Sequence, residues 1–344
     1  MTIATTHLRL ADAEDDVIWN GLAGTWLDFP ETARASGEDP FQAVVPGTAG
    51  DDILYGTADQ DVLFGYGGND RLYGGDGGDD LYGGAGADAL FGGSHLDFAR
   101  YDDAGSGILV SLLNPAANTL DAAGDSYDSI EGLSGSAHSD ILFGDGGFNF
   151  ILGNRGDDAL LGQGGDDFLS GDWGNDHLYG GLGADGLDGD AGFDFARYDA
   201  AATGVRANLA DVSVNTGEAA GDRYSNIEGL VGSYHADVLI GDASGNILYG
   251  LDGNDFLFGG GGSDIFVGGA GSDAFVLSGD VQAGAHDIIG DFQYGLDAIF
   301  LPASLNGALV YTFDGTGTTF TGGGWSVRVD NATIAQVQNS IVFA

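Results

Sequence analysis

The sequence predicts an all-β chain wound as a flat parallel solenoid. Three observations carry this: a nine-residue period, 65 glycines, and 53 acidic residues of which only six are Glu (14, 31, 38, 131, 218 and 228), leaving 47 Asp. From Gly47 the chain reads GTAGDDILY, GTADQDVLF, GYGGNDRLY, GGDGGDDLY, GGAGADALF and GGSHLDFAR. Every unit opens on Gly, carries Asp at position six and, in all but the last, Leu at position eight. Such a unit splits into a Gly-rich turn of about six residues and a strand of about three, whose central side chain alone points inward. Two units then make one coil. A helical bundle is excluded, because Gly costs about 1 kcal/mol per helix position relative to Ala and recurs here within every ten residues of the repeated part.

The register returns twice. After Asp52, Asp61, Asp70, Asp79, Asp88 and Asp97, position six is Asp140, Asn149, Asp158, Asp167, Asp176, Asp185 and Asp194 from Gly135 onward, and Asp237, Asn246, Asp255, Asp264 and Asp273 from Gly232 onward. That makes 18 units. A longer period lies over them: DFARYD starts at Asp97 and Asp194, AAGD at Ala122 and Ala219, and IEGL at Ile130 and Ile227, always 97 residues apart. The chain is a tandem duplication with a partial third copy. Two 34-residue inserts, Tyr101 to Ser134 and Tyr198 to Val231, separate the blocks. Their apolar runs, Ile108-Leu109-Val110 and Ile130-Glu131-Gly132-Leu133, read as short strands of extra coils that lack metal.

Position eight argues against disorder: fourteen of the eighteen residues are Leu or Ile and two more are Phe, which makes a continuous core, with Ala99 and Ala196 at the insert entrances. Position six gives the chemistry. Stacked turns pile like charges a few ångströms apart, which is prohibitive without a counter-ion, and hard carboxylate and carbonyl oxygens select calcium. Asp reaches into a tight turn better than the longer Glu, which explains the ratio of the two.

These units resemble the hemolysin-type calcium-binding nonapeptide GGxGxDxUx of the RTX (repeats-in-toxin) proteins, over roughly Gly47 to Val276. The resemblance implies a right-handed parallel β-roll in which successive units alternate sides and each calcium lies between turns n and n+2. Its metal residues carry over to Asp52, Asp61, Asp70, Asp79, Asp88, Asp97, Asp140, Asp158, Asp167, Asp176, Asp185, Asp194, Asp237, Asp255, Asp264 and Asp273. Pairing within blocks gives four, five and three sites, about 12 Ca²⁺ in all. Asn149 and Asn246 replace the ligand Asp, and Asp59, Ala243, His95, His138 and His235 interrupt the turn pattern, so those turns are expected to be weak or empty.

The charge balance excludes other classes. A net charge of -44, with nine Arg and no Lys, repels a nucleic-acid duplex or an anionic membrane. Zero cysteines remove disulfides, thiolate metal sites and Cys nucleophiles. No apolar stretch approaches the roughly 18 to 20 residues of a transmembrane segment, and MTIATTHLRLADAEDD lacks the basic and apolar regions of a signal peptide. HExxH and GxSxG are absent, the six His are scattered, and 46 residues before the repeats leave no room for a protease or lipase domain, so no enzyme is expected. Family toxins carry acylated lysines and an apolar pore-forming region, and this chain has neither.

Three segments follow: 1–46, of unknown role; 47–276, the roll; and 277–344, a C-terminal cap. In the first, Trp19, Trp26 and Phe29 suggest a small element packed on the first coil, the alternative being a disordered leader, and the acidic patch from Asp12 to Asp16 before Val17-Ile18-Trp19 could start a helix. In the last, DIIGDFQYGLDAIFL from Asp287 to Leu301 looks like the roll-closing region of serralysin-type proteins, which implies a C-terminal type I secretion signal. Strand-like runs lie near Leu309-Val310-Tyr311, Trp325-Ser326-Val327 and Ile341-Val342-Phe343. Position nine is often aromatic (Tyr55, Phe64, Tyr73, Tyr82, Phe91, Phe143, Tyr179, Tyr249, Phe258) and should point outward as stripes.

The expectation is a secreted, extracellular or cell-surface protein that stays unfolded in low-calcium cytosol and folds on calcium outside. About 12 Ca²⁺ would offset roughly 24 of the 44 negative charges. Its role is read as a self-assembling matrix, surface-layer or filament component. The alternatives are a polysaccharide-binding adhesin and a non-catalytic accessory or membrane-active protein. Calcium and the type I secretion machinery are the expected partners, with self-association or polysaccharide beside them.

Overall fold

Position eight fixes how the chain winds. With one inward side chain per three-residue strand, each strand can bury its Leu only against strands of the neighbouring coils, so the units must stack in parallel. A computed structural model describes residues 17–20, 25–28, 43–277 and 284–344, and shows this arrangement. All eighteen position-eight residues are buried, from Leu54 to Phe275; seventeen of them, Ala99 and Ala196 included, are no more than 1% exposed, and Leu54 is 8% exposed. They form one continuous apolar core.

The chain divides into two units, Met1–Gln42 and Ala43–Ala344. In the first, Val17–Asn20 and Thr25–Asp28 pair antiparallel with Trp19 opposite Trp26. Val17-Ile18-Trp19 is therefore strand and not the start of a helix, in keeping with its β-branched and aromatic residues. Asp12 to Asp16 and Phe29 lie outside the described residues.

In the second unit, strands alternate between two stacks. One sheet begins Ala43–Thr48, Asp61–Tyr66, Asp80–Tyr82, Phe98–Arg100; the other begins Ile53–Tyr55, Arg71–Asp76, Ala89–Ser94. Every pairing among the repeats is parallel, in a register of 18 residues, such as Leu54 with Leu72 and Leu72 with Leu90.

The inserts join these stacks instead of looping away from them. In the first, the chain runs ahead to strand Leu109–Ser111, which pairs with Ile141–Phe143 and founds a new sheet. It then turns back through two 3₁₀ turns, Pro115–Ala117 and Leu120–Ala122. Strand Ser126–Asp128 closes the old sheet on Ala89–Ser94, and Gly132–Ser134 continues the opposite sheet between Phe98–Arg100 and Phe150–Leu152. The second insert repeats this on the opposite stack: Arg206–Asn208 founds a sheet on Val238–Ile240, Arg223–Ser225 closes one on Gly186–Asp188, and Gly229–Val231 runs through. Each insert thus breaks one sheet while the other bridges the break.

Beyond the repeats the roll continues for two strands, His286–Ile289 beside Ile265–Val267 and Ala298–Leu301 beside Ala274–Val276. An antiparallel meander, Val310–Phe313, Gly317–Gly322 and Trp325–Asp330, then extends one sheet, and Ile341–Phe343 closes the other. Helix Ile334–Ser340, with Thr333 and Gln336 in a capping box, joins the two ends. Among the described residues no helix is long and apolar enough to cross a membrane.

Candidate metal centre

The turns bring the position-six residues into four ladders, each member 18 residues from the next within a block. Main-chain N–H of one Asp donates to Oδ1 of the Asp one coil on: Asp52 to Asp70 at 2.8 Å, Asp70 to Asp88 at 2.7 Å, Asp158 to Asp176 at 2.7 Å and Asp255 to Asp273 at 3.0 Å. One carboxylate oxygen is thereby oriented. The second oxygen, Oδ2, is buried without any partner on Asp70, Asp79, Asp88, Asp97, Asp158, Asp167, Asp176, Asp185, Asp194, Asp255, Asp264 and Asp273. Buried polar atoms in native folds are almost always satisfied, so twelve orphaned oxygens at equivalent places call for a missing ligand.

The space beside these oxygens is lined by main-chain carbonyls. A Cβ built on Gly153 would lie 2.5 Å from Asp158 Oδ2 and 2.8 Å from the Gly171 carbonyl of the next coil, so only a hydrogen fits at position one. No three His, Asp or Glu side chains converge among the described residues, and a cation in these gaps must therefore take carbonyl oxygens as well as carboxylates. Oxygen-only donors of this mixed kind suit a hard, high-coordination ion such as calcium.

Electrostatics agree. Burial first, and then the charges of Asp176 and Asp140 one coil away on each side, push Asp158 up to about 8. Asp167 rises to about 8 by burial and the charge of Asp185, and Asp97 and Asp194 to about 7 by burial and the charges of Asp79 and Asp176 respectively. Without a cation these sites hold protons at a pH where exposed Asp holds none. A divalent ion beside these carboxylates offsets both causes, because its charge favours the ionised form.

The remaining four sequence-derived residues stand in the same ladders but are closed. Asp52 Oδ2 accepts from Thr48 N–H at 2.6 Å and from its hydroxyl at 2.8 Å. Asp61 is held the same way by Thr57, while Ser136 and Ser233 donate their N–H to Oδ2 and their hydroxyl to Oδ1 of Asp140 and Asp237. Each of the four heads its ladder. Asn149 and Asn246 are closed too: their side-chain oxygens accept from Asp145 and Asp242 N–H at 2.8 Å, and their amides reach the Glu131 and Glu228 carbonyls.

The ladders also recruit acids that position counting missed. Asp125 Oδ1 takes the Asp88 N–H at 2.8 Å and Asp222 Oδ1 takes that of Asp185 at 3.0 Å. Their other oxygens accept from Tyr101 and Tyr198 hydroxyls at 2.8 and 2.7 Å. Those hydroxyls meet Tyr127 and Tyr224, which Asn118 and Asn215 hold in turn. Glu131 and Glu228 receive Asp97 and Asp194 N–H, and Asp287 and Asp297 receive those of Asp264 and Asp273. The signal was present in the 97-residue recurrence of AAGD and IEGL, since Asp125 and Asp222, and Glu131 and Glu228, are equivalent positions.

A parallel roll whose turns carry buried, unpartnered carboxylates is a divalent-cation-binding solenoid. The RTX calcium-binding nonapeptide repeat, in its four-copy form, matches at residues 46–81, 66–98, 134–169, 161–196 and 240–275, so these stretches are RTX calcium-binding repeats. No curated protein matches the chain. Among solved structures it is similar to the extracellular lipase LipA from Serratia marcescens, at 18% identity and a TM-score of 0.23, over 69% of this chain and 42% of the lipase. The chain thus spans less than half of that lipase's length, and at this similarity nothing of its activity transfers.

Proposed function

We propose that this protein is secreted, folds on calcium outside the cell, and serves there as a non-catalytic structural component that self-assembles into a matrix, surface layer or filament. The observation that carries the calcium part is the set of twelve position-six carboxylate oxygens that are buried without partners, beside which Asp287 Oδ2 is bare as well. Each marks one gap between coils, which supports about twelve ions per chain. Asp70, Asp79, Asp88 and Asp97 would hold those of the first block, Asp158, Asp167, Asp176, Asp185 and Asp194 those of the second, and Asp255, Asp264 and Asp273 those of the third. Calcium supplies charge neutralisation there; the chain supplies the oriented oxygens and the close-packed glycine backbone.

Export by a type I route rests on the similarity of 287–301 to roll-closing regions, and that segment carries the two strands that follow the repeats, His286–Ile289 and Ala298–Leu301. The self-assembling role draws on the first coil. Strands Ala43–Thr48 and Ile53–Tyr55 each have one partner among the described residues, and Val44, Ile53 and Tyr55 are 58%, 60% and 66% exposed. Apolar sheet edges of this kind recruit further strands. A polysaccharide-binding role draws instead on the stacked rings of Tyr55, Tyr73 and Phe91, whose centroids are 5.0 and 4.5 Å apart.

Circular dichroism and light scattering during a calcium titration of the decalcified chain separate these roles. Gain of β-structure together with growth of large particles supports the structural polymer. Gain of β-structure in a monomer-sized particle favours polysaccharide binding, and no gain at all removes the calcium mechanism.

A further inference from the structure

The nonapeptide turns take two forms, and position two separates them. In the turns of Asp70, Asp167 and Asp255, position two is Tyr66, Gln163 and Leu251, with φ of 69°, 78° and 76°. Non-glycine residues seldom adopt the left-handed region, least of all large ones, so the turn imposes this conformation against local preference. The same left-handed position two occurs in all twelve turns whose Oδ2 is bare, with Gly, Asn or Asp in the other nine.

In the six remaining turns position two is Thr48, Thr57, Ser136, Asp145, Ser233 or Asp242, and none of these has positive φ. Its N–H instead donates to the position-six side chain four residues on. At the four hydroxyl residues the side chain adds a second bond to the same carboxylate, at 2.8 to 2.9 Å. No described nonapeptide turn combines a left-handed position two with a capped position six.

We propose that position two decides whether a turn takes calcium. Where the chain passes left-handed, the carboxylate keeps a bare oxygen facing the gap and the turn is open to an ion. Where Ser or Thr folds back, N–H and O–H occupy the lone pairs that calcium would need, and the turn is folded but closed. The four hydroxyl-closed turns are the four ladder heads, where no nonapeptide coil lies on the preceding side to complete a site. Closed turns are therefore stops written into the repeat, and they let the roll begin and restart without metal. This inference rests on the calcium reading given above.

The test is the calcium content of the full-length chain, by equilibrium dialysis at saturating calcium. Gln163→Ser and Leu251→Ser should close the turns of Asp167 and Asp255. Gln163→Asn and Leu251→Asn are the controls, because Asn tolerates the left-handed region. Each Ser variant is expected to bind one calcium fewer than wild type and keep its far-UV spectrum, and each Asn variant to bind the wild-type number. Ser variants with the full number would overturn the proposal. So would Ser variants that fail to fold at saturating calcium, since a closed turn is a folded turn. A wild-type chain without bound calcium would instead overturn the underlying calcium reading.

Discussion

Hydroxyl groups do at the ends of the acidic ladders what a cation does inside them. Tyr101, 2% exposed, gives its proton to Asp125 and meets Tyr127 at 2.6 Å, and Tyr198 repeats this with Asp222 and Tyr224. Removing one partner of a buried carboxylate leaves it unsatisfied, at about 1–3 kcal/mol. Tyr101→Phe and Tyr198→Phe should each lower stability by about that much in denaturant titrations at saturating calcium; an unchanged midpoint would show that the networks are incidental. A second residue-level expectation concerns pH. Burial raises Asp158 and Asp167 to about 8 in the calcium-free fold, above their value of 3.8 in an unfolded chain. The calcium-free fold then binds more protons than the unfolded chain between those values. Its stability is greatest below about pH 4 and falls as pH rises toward 8. Decalcified protein should accordingly show more β-structure by circular dichroism at pH 5 than at pH 8, and the opposite order would contradict these shifts.

At the scale of the element, each three-residue strand contributes one fully buried side chain. Leu81, at 0% exposure, sits between Leu63 and Ala99 in its sheet. Leu81→Ala should cost about 2–5 kcal/mol, read as a lower unfolding midpoint, because the neighbouring coils are held at fixed spacing and cannot collapse into the cavity. The strands of the repeats were legible in the sequence since position eight recurs without fail. The inserts were legible only in part: Leu109-Val110 and Gly132-Leu133 are strands, but the out-and-back path depends on Tyr101 meeting Asp125, 24 residues on, and Tyr127, which Asn118 holds, and no local pattern encodes that. Gly317–Gly322, reading GTTFTG, lies outside the strand-like runs expected from the sequence and is a strand because it lies between two partners. The aromatic stripes were expected from position nine, and Tyr55, Tyr73 and Phe91 do stack; farther along, Leu161 stands between Phe143 and Tyr179 and breaks the stripe. For the metal centre, position six was readable as a pattern, whereas which turns are open depended on backbone dihedrals at position two.

For the whole molecule, the broken sheets overlap like a lap joint: one sheet runs unbroken past the first insert and another past the second. Loss of calcium in one block should therefore loosen its neighbours, and calcium-induced folding should be cooperative across the inserts rather than block by block. The net charge of -44 sets the other condition, since a chain this acidic repels itself until counter-ions enter. Raising monovalent salt should relieve part of this repulsion but leave the buried oxygens bare, so salt alone should not restore the β-structure that calcium gives. The most direct test of the account is the number of calcium ions bound per chain at saturation, measured on the intact protein after removal of loosely held ions. About twelve are expected, one for each open turn. A value near eighteen would mean that the closed turns bind as well as the open ones, and a value near zero would contradict the claim that calcium holds the roll together.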